Sequence, residues 1–486
     1  MKKMNLLVMS LVSAAALSFT SCSSNDDLAG NAGQEKVDGF YMTLTVQSPN
    51  ASGTRTVQSN EYNASEAESK ITSGKFFLMD SKNKIVFRKE VKNLEWDKTG
   101  KTQLEIPVEN VIAGAEYKVY FLANADSEDP LNSTFSAKAT TDNQFVGDYA
   151  KANNFAMFNE NDKNVDGNSY TVTFKDENKS KTNAAKVNKT IKLERVTARI
   201  DQPTSNVTEI KAYPTDKDHK TSDYTAAEKK AMDDAVAKVD KIELTRYAIS
   251  NVANTTNIMQ KWNDTQLLIP SATGFKYIQP TDEFGTKTLF KNAGYFNAIV
   301  KDKDGKVKDE RKDYVFENNN DNAATSMYFE YKVTLKAEAG DHKDFTDGTF
   351  YRYKNIIFTS FTDIKEAFKD VNDLFENKTA DALKKEVEDA KKATDSETEL
   401  DKLRREYDIE IFNEGKTYYK MAIKDKFIGY DNAIQRNTVY QLNVKNIFNV
   451  GAQVPNGTPD KEGLFYLDVE VSVNPWVQNS YDVELK

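Results

Sequence analysis

Residues 465–485 leave this chain few folds to choose from. Every odd position from Phe465 to Val477 is apolar (Phe465, Leu467, Val469, Val471, Val473, Pro475, Val477), and after Asn479 the parity resumes with Tyr481, Val483 and Leu485. The even positions are mostly polar: Asp468, Glu470, Ser472, Asn474, Gln478, Ser480, Asp482 and Glu484. Period-two alternation is the pattern of a strand with one buried face. The run exceeds the usual strand of about 5–6 residues. Pro475 has no amide hydrogen, so it is expected to divide the run or to place it at a sheet edge. Two readings follow: the last strands of the chain's own sandwich, or a final strand that completes a neighbouring subunit's sheet.

The first residues bear on that choice. Residues 1–21 read as a secretory signal, with Lys2 and Lys3 ahead of an apolar run from Leu6 to Leu17 and the small pair Thr20-Ser21 before Cys22. The apolar run is shorter than the roughly 18–20 residues that span a bilayer. It resembles a bacterial lipoprotein signal, in which Cys22 becomes the acylated first residue. Cys22 is the only cysteine of the 486 residues, so no internal disulfide can form. Ser23-Ser24-Asn25-Asp26-Asp27 reads as a flexible tether, and it resembles the acidic tract of surface-exposed lipoproteins in a group of Gram-negative anaerobes. Phe40, Met42, Leu44 and Val46 then alternate with Tyr41, Thr43, Thr45 and Gln47, which predicts a first strand. A loop of small polar residues follows, in which Arg55 is the only basic residue between Lys36 and Lys70. Exposed loops of this composition are where proteases cut.

Further short strands are expected near residues 75–79, 85–88, 103–107, 116–122, 170–174 and 190–200, then 241–249, 266–269, 328–335, 351–358, 416–421 and 439–447. Many short strands at this spacing predict a sandwich rather than a parallel α/β sheet. The length asks for two domains, and the texture changes after Ile200 at Asp201-Gln202-Pro203-Thr204. Thr225-Ala-Ala-Glu228 reads as a helix-capping box. Residues 362–407 read as a charged helical insertion with a narrow apolar stripe, its last piece starting at a Ser396-Glu-Thr-Glu399 box.

Chemistry is conspicuous by its lack of motifs. The two histidines, His219 and His342, lie far apart in charged stretches, and no metalloprotease, phosphate-loop or nucleophile-elbow sequence occurs. Asp302-Lys-Asp-Gly305 and Asn164-Val-Asp-Gly167 read as hairpin turns before calcium loops. No catalytic residue, cofactor or metal is expected. A net charge of −9 with dispersed lysines argues against nucleic acid.

Several stretches together resemble the fimbrillin family, subunits of protease-assembled (type V) fimbriae of Gram-negative anaerobes. They are Leu467-Asp-Val-Glu-Val-Ser-Val-Asn-Pro-Trp476 with Ser480-Tyr-Asp-Val-Glu-Leu485, Tyr418-Tyr419, Arg436-Asn437-x-x-Tyr440-x-Leu442-x-Val444 and Glu194-Arg195-Val196-Thr197-Ala198-Arg199. Tyr41-Met42-Thr43-Leu44 and the Ser52-Gly53-Thr54-Arg55 loop also match in place and kind; the insertion 362–407 and residues 201–240 do not.

The resemblance implies an all-β chain of two transthyretin-like β-sandwich domains, 56–200 and 201–486, with the helical insertion in the second. Residues 1–21 would be the signal and 22–55 a propeptide holding the first strand. An arginine-specific protease would cut between Arg55 and Thr56 and remove Phe40, Met42, Leu44 and Val46. The groove left behind would take Tyr481, Val483 and Leu485 from the tail (465–486) of another copy. Such head-to-tail contacts do not close and so yield filaments. Expected partners are copies of the chain, other fimbrial subunits at tip and anchor, the protease, and host or bacterial surface ligands. The expected location is a cell-surface fimbrium reached through an outer-membrane lipoprotein precursor. The alternatives are a tip or anchor subunit, or a surface glycan-binding lipoprotein.

Overall fold

The first alternating stretch folds as its pattern asks. In β1 (Phe40–Gln47) the side chains of Phe40, Met42, Leu44 and Val46 are buried while Tyr41, Thr43 and Thr45 are half-buried. Along the chain follow β2 (Tyr62–Ala64), the short helix α1 (Glu66–Ser69), β3 (Ser73–Met79), β4 (Ile85–Lys92), β5 (Lys101–Val108), β6 (Glu116–Ala123), β7 (Met157–Asn159), β8 (Ala185–Lys186) and β9 (Ile191–Arg195). The computed structural model describes residues 39–49, 62–97, 100–137, 145–162, 165–213, 224–264, 266–271, 273, 275–276, 296–305, 311–337, 342–423, 425, 433–455 and 466–478.

All of these strands except β2 form one sheet in the order β8-β1-β9-β7-β6-β3-β4, with β5 on β1 and Thr171–Thr173 on β6. Phe76–Met79 of β3 and Val119–Ala123 of β6 are unbroken apolar runs because both faces of this sheet are covered. Phe76, Leu78, Val119 and Phe121 pack into one core with the buried face of β1, whereas Phe77, Met79, Tyr120 and Leu122 pack into the core of the second half.

The chain leaves this sheet after Arg195 and enters the next at β10 (Ala198–Asp201). The second half contains α2 (Ala226–Ala237), β11 (Val239–Ser250), β12 (Lys312–Val315), β13 (Ser326–Leu335), β14 (Phe350–Tyr353), β15 (Ile356–Phe358), α3 (Phe361–Ala367), α4 (Ala380–Lys392), α5 (Ser396–Glu406), β16 (Glu410–Phe412), β17 (Lys416–Ala422), β18 (Thr438–Phe448) and β19 (Tyr466–Gln478). One sheet runs β2-β19-β18-β10-β12 with Thr204–Ser205 on β18, and another runs Asn297–Ala298, β11, β13, β17. Their facing side chains, among them Ile200, Tyr440, Leu442 and Val444 against Ile242, Leu244, Phe329 and Tyr331, share one core. The molecule is predominantly β, and its described residues form a single compact unit.

Of the two readings of Pro475, division or an edge, β19 takes the edge, and it departs from its alternation at one buried residue. It does not break at Pro475, which stands opposite Thr438 of β18; its other edge has no described partner until Trp476, where β2 begins to pair. A missing amide hydrogen is tolerated on such an edge. Its even face is also not solvated throughout. Leu467 is buried and Glu470 exposed, as alternation predicts, but Trp476, on the even face, is 1% exposed.

The insertion is helical as expected, yet its apolar stripe is not narrow. Leu383, Val387 and Ala390 of α4 and Leu400 of α5 pack with Tyr351, Phe361, Ile364, Phe375, Tyr407 and Ile411 into a core of their own. The three-stranded sheet β15-β14-β16 lines it, and Phe350, Ile357 and Phe412 tie it to the main core. The capping box at Thr225 forms, with the Glu228 amide donating to Thr225 Oγ1 at 3.2 Å and the Thr225 amide to Glu228 Oε2 at 2.7 Å. The one expected at Ser396 does not: α5 already includes Ser396 and is preceded by Asp395.

Candidate functional site

β1 lies between strands that meet no other way. On one side it pairs antiparallel with β5 over its full length, from Phe40 opposite Val108 to Gln47 opposite Lys101. On the other it runs parallel to β8 (Met42 opposite Ala185) and β9 (Val46 opposite Ile191). Among the described strands β1 is the only partner of β5. On the flanking strands Leu104, Ile106, Ile191 and Leu193 are buried in the same core, and the Phe40 ring meets Phe174 edge-on at 5.4 Å. Burying four such side chains is worth roughly 1.5–3 kcal/mol each. The approach is close at the start of the strand, where a Cβ on Gly39 would stand 2.6 Å from the Val108 carbonyl oxygen.

The last described strand is held at a different place. At its end β19 pairs in parallel with β2, Tyr62 opposite Trp476 and Ala64 opposite Gln478. The Trp476 ring stacks on Tyr314 at 5.7 Å and meets Phe155 edge-on at 5.6 Å. Arg195, fully buried at the point where the chain changes sheets, lies over the same ring at 4.3 Å. Its Nη1 donates to the Trp476 carbonyl (2.9 Å) and to Asn437 Oδ1 (3.0 Å), its Nε to the Glu68 carbonyl (2.9 Å) and its Nη2 to Ser69 Oγ (3.2 Å). One planar fork thus ties α1, β9, the turn before β18 and β19 together.

Glu68 forms the second layer of this junction. Ser65 closes a capping box on it, donating its amide (2.7 Å) and hydroxyl (2.8 Å) to Oε2. Oε1 accepts from Arg199 Nη1 (3.0 Å) and the Tyr314 hydroxyl (2.8 Å), with Lys312 Nζ at 3.5 Å. Burial works to raise the Glu68 carboxyl, but Arg199, the Ser65 amide, Tyr314 and Lys312 outweigh it and hold it below the ordinary glutamate value. Burial, with Glu68 beside it, pushes the Tyr314 hydroxyl far up, so it stays a donor. Arg436 is buried nearby with Glu317, Nε to Oε2 at 2.9 Å and Nη2 to Oε1 at 2.7 Å.

Of the site residues expected from sequence, Phe40, Met42, Leu44 and Val46 share one buried face and one core. Cys22, Arg55, Thr56, Tyr481, Val483 and Leu485 lie outside the described residues. Sequence reading missed the junction, although Ser65-Glu-Ala-Glu68 carries the capping-box spacing and was legible as such. No group of His, Cys, Asp and Glu suited to a metal occurs among the described residues.

Two family sequence models match the chain. Major fimbrial subunit protein (FimA) matches residues 41–195, and Major fimbrial subunit protein type IV, Fimbrillin, C-terminal matches residues 410–482. The first match ends at Arg195, where the chain leaves its first sheet, and the second takes in β16 to β19. Among solved structures, a protein of Parabacteroides distasonis provisionally named for cell adhesion is 12% identical over 90% of this chain and 98% of its own, with a TM-score of 0.45. The tip fimbrial protein Mfa3 from Porphyromonas gingivalis, with C-terminal truncation, is 9% identical over 90% and 99%, with a TM-score of 0.33. The fimbrial anchor protein Mfa2 of the same species is 10% identical over 91% and 99%, with a TM-score of 0.24. No curated protein sequence matches. Both matching models describe fimbrial subunits rather than enzymes, and at residues 41–195 and 410–482 the chain is similar to the fimbrillin family.

Proposed function

We propose that the chain is a structural subunit of a cell-surface fimbria, exported as a lipoprotein acylated at Cys22, cut between Arg55 and Thr56, and polymerised by strand exchange. Removal of β1 would strip β5 of its described partner and uncover Leu104, Ile106, Ile191 and Leu193. The incoming strand would carry Tyr481, Val483 and Leu485, matching the period of Phe40, Met42, Leu44 and Val46. Main-chain hydrogen bonds would supply affinity and alternate side chains the register.

The observation that carries this reading is the separation of β1 from β2. β1 sits inside the first sheet, whereas β2 lies on the edge of the second, beside the root of the C-terminal strand. The stretch containing Arg55 joins the two, so a cut there frees β1 while α1, held by Arg195, stays in place. The test is the N-terminal residue of protein recovered from the cell surface. Thr56 is expected; acylated Cys22 on assembled protein would overturn the cleavage step and assign the chain to an uncut anchor or tip position.

A further inference from the structure

A second feature shares no residue with β1 or the C-terminal strand. The β3–β4 hairpin, β6 and the hairpin Lys261–Asn263/Gln266–Leu268 line an open cavity of about 430 Å³. That volume lies within the roughly 300–1,000 Å³ of small-ligand sites.

Its lining combines a fixed aromatic ring with cationic and neutral hydrogen-bonding groups. Trp262, half-buried, donates Nε1 to the Asn161 carbonyl (2.9 Å) and to Gln260 Oε1 (3.1 Å), which sets the plane of the indole before any ligand arrives. Tyr120 donates its hydroxyl to Asn168 Oδ1 (2.8 Å), leaving the phenol oxygen as an acceptor. Lys118 and Lys261, both half-buried, line the same cavity, and neither has an ion-pair partner among the described residues. By contrast Lys75 pairs with Asp126 and Glu128, Lys301 with Glu243 and Lys391 with Asp347. No carboxylate lines this cavity. Two ammonium groups line this recess against one carboxylate beside it, Asp166, which accepts from Asn168 and acts on Tyr120; the net positive lining favours an anion.

We propose that this cavity binds one pyranose residue bearing a carboxylate, its C–H face on the Trp262 ring and its carboxylate between Lys118 and Lys261. The aromatic face suits the apolar side of a sugar ring, and the amides and Tyr120 oxygen suit its hydroxyls. Uronic acids and sialic acids share this chemistry. A fimbria built from such subunits would display one acidic-sugar site per subunit along its length.

The test uses the full chain, uncut and monomeric, so its outcome is independent of strand exchange. Glucuronic acid, galacturonic acid and N-acetylneuraminic acid are compared with neutral glucose by saturation-transfer NMR and calorimetry. At least one acidic sugar is expected to bind about tenfold more tightly than glucose, and the arms of the series tell uronic from sialic acid. Lys118→Gln with Lys261→Gln should remove that tenfold preference, and Trp262→Ala should abolish binding. Trp262→Phe, which keeps a ring, should retain part of it and guards against misfolding of the alanine variant. Equal binding of acidic and neutral sugars, no binding of any, or binding indifferent to Trp262 and the two lysines would overturn the proposal.

Discussion

Arg195 places its guanidinium 4.3 Å from the Trp476 ring centroid and donates Nη1 to the carbonyl oxygen of the same residue at 2.9 Å. A residue from the first sheet thereby holds the root of the last described strand by both its ring and its backbone. Arg195→Ala removes four hydrogen bonds and leaves the Glu68 and Trp476 carbonyls buried without that donor. Each unsatisfied buried group costs roughly 1–3 kcal/mol, so a loss of about 3 kcal/mol or more is expected in urea unfolding. Arg195→Lys should recover only a fraction, because an ammonium cannot reproduce the fork. A change below about 0.5 kcal/mol, the range of ordinary surface substitutions, would remove the junction from any account of stability.

Glu68 makes the same junction sensitive to acid. Its carboxyl is depressed in the folded state, so it contributes stability above its unfolded value, about 4.3. That contribution is lost as pH falls through the lower folded value. Glu68→Gln should be less stable at neutral pH and lose less on acidification. Urea midpoints measured from about pH 7 down through the carboxylate range decide it, and identical acid slopes in the two proteins would contradict the assignment.

How far the sequence spoke for this fold depends on the range over which a contact acts. The seat of β1 and the course of β18 and β19 were legible because alternation is local: Tyr440, Leu442 and Val444 share one buried face as read. Pro475 was legible in one of its two readings: β19 has an open edge there, so the strand runs through without dividing. Trp476 lies on the polar parity and is buried by Phe155, Tyr314 and Arg195, residues far away in sequence that no pattern within β19 can announce. The helices of the insertion were legible for the same local reason. That their stripes close on one another over β14 and β16 was not.

That closure gives the insertion a stability of its own. Leu383 of α4 is fully buried in the insertion core, and large-to-small changes at such sites cost about 2–5 kcal/mol. Leu383→Ala should accelerate amide exchange in α4 and α5 while leaving β18 and β13 protected. Leu442→Ala, in the main core, should loosen all of them. Equal loss of protection across both regions by Leu383→Ala would mean that the insertion does not open by itself.

Removal of β1 should have a measurable price before any partner arrives. A chain beginning at Thr56 is expected to fold, to melt lower than the uncut protein, and to bind a hydrophobic dye at the uncovered β5 and β9. A peptide copying residues 479–486 should restore the melting temperature and displace the dye; one with Tyr481, Val483 and Leu485 replaced by Ser should do neither. An unchanged melting temperature after trimming would mean that β1 contributes nothing to the sheet, against its four buried side chains.

In the proposed strand exchange the C-terminal strand would divide at Gln478 into a part the subunit needs for itself and a part offered to another. From Tyr466 to Pro475 the strand is paired by β18, and from Trp476 to Gln478 by β2 on the other side. Trp476→Ala should therefore destabilise the isolated subunit by about 3–5 kcal/mol, as for a buried aromatic ring. It should do so whether or not filaments form. Deleting residues 481–486 should cost the isolated subunit less than about 0.5 kcal/mol, the scale of changes that remove no packed group, and yet prevent polymerisation after cleavage. Arg55→Ala should fail at the opposite step, with a full tail but an occupied groove. Mixing the cleaved tail-deleted protein with the Arg55 variant should yield heterodimers and nothing longer, visible by light scattering as a single step in mass. Filaments from that mixture, or unfolding of the tail-deleted subunit, would show that residues 481–486 complete the subunit's own sheet.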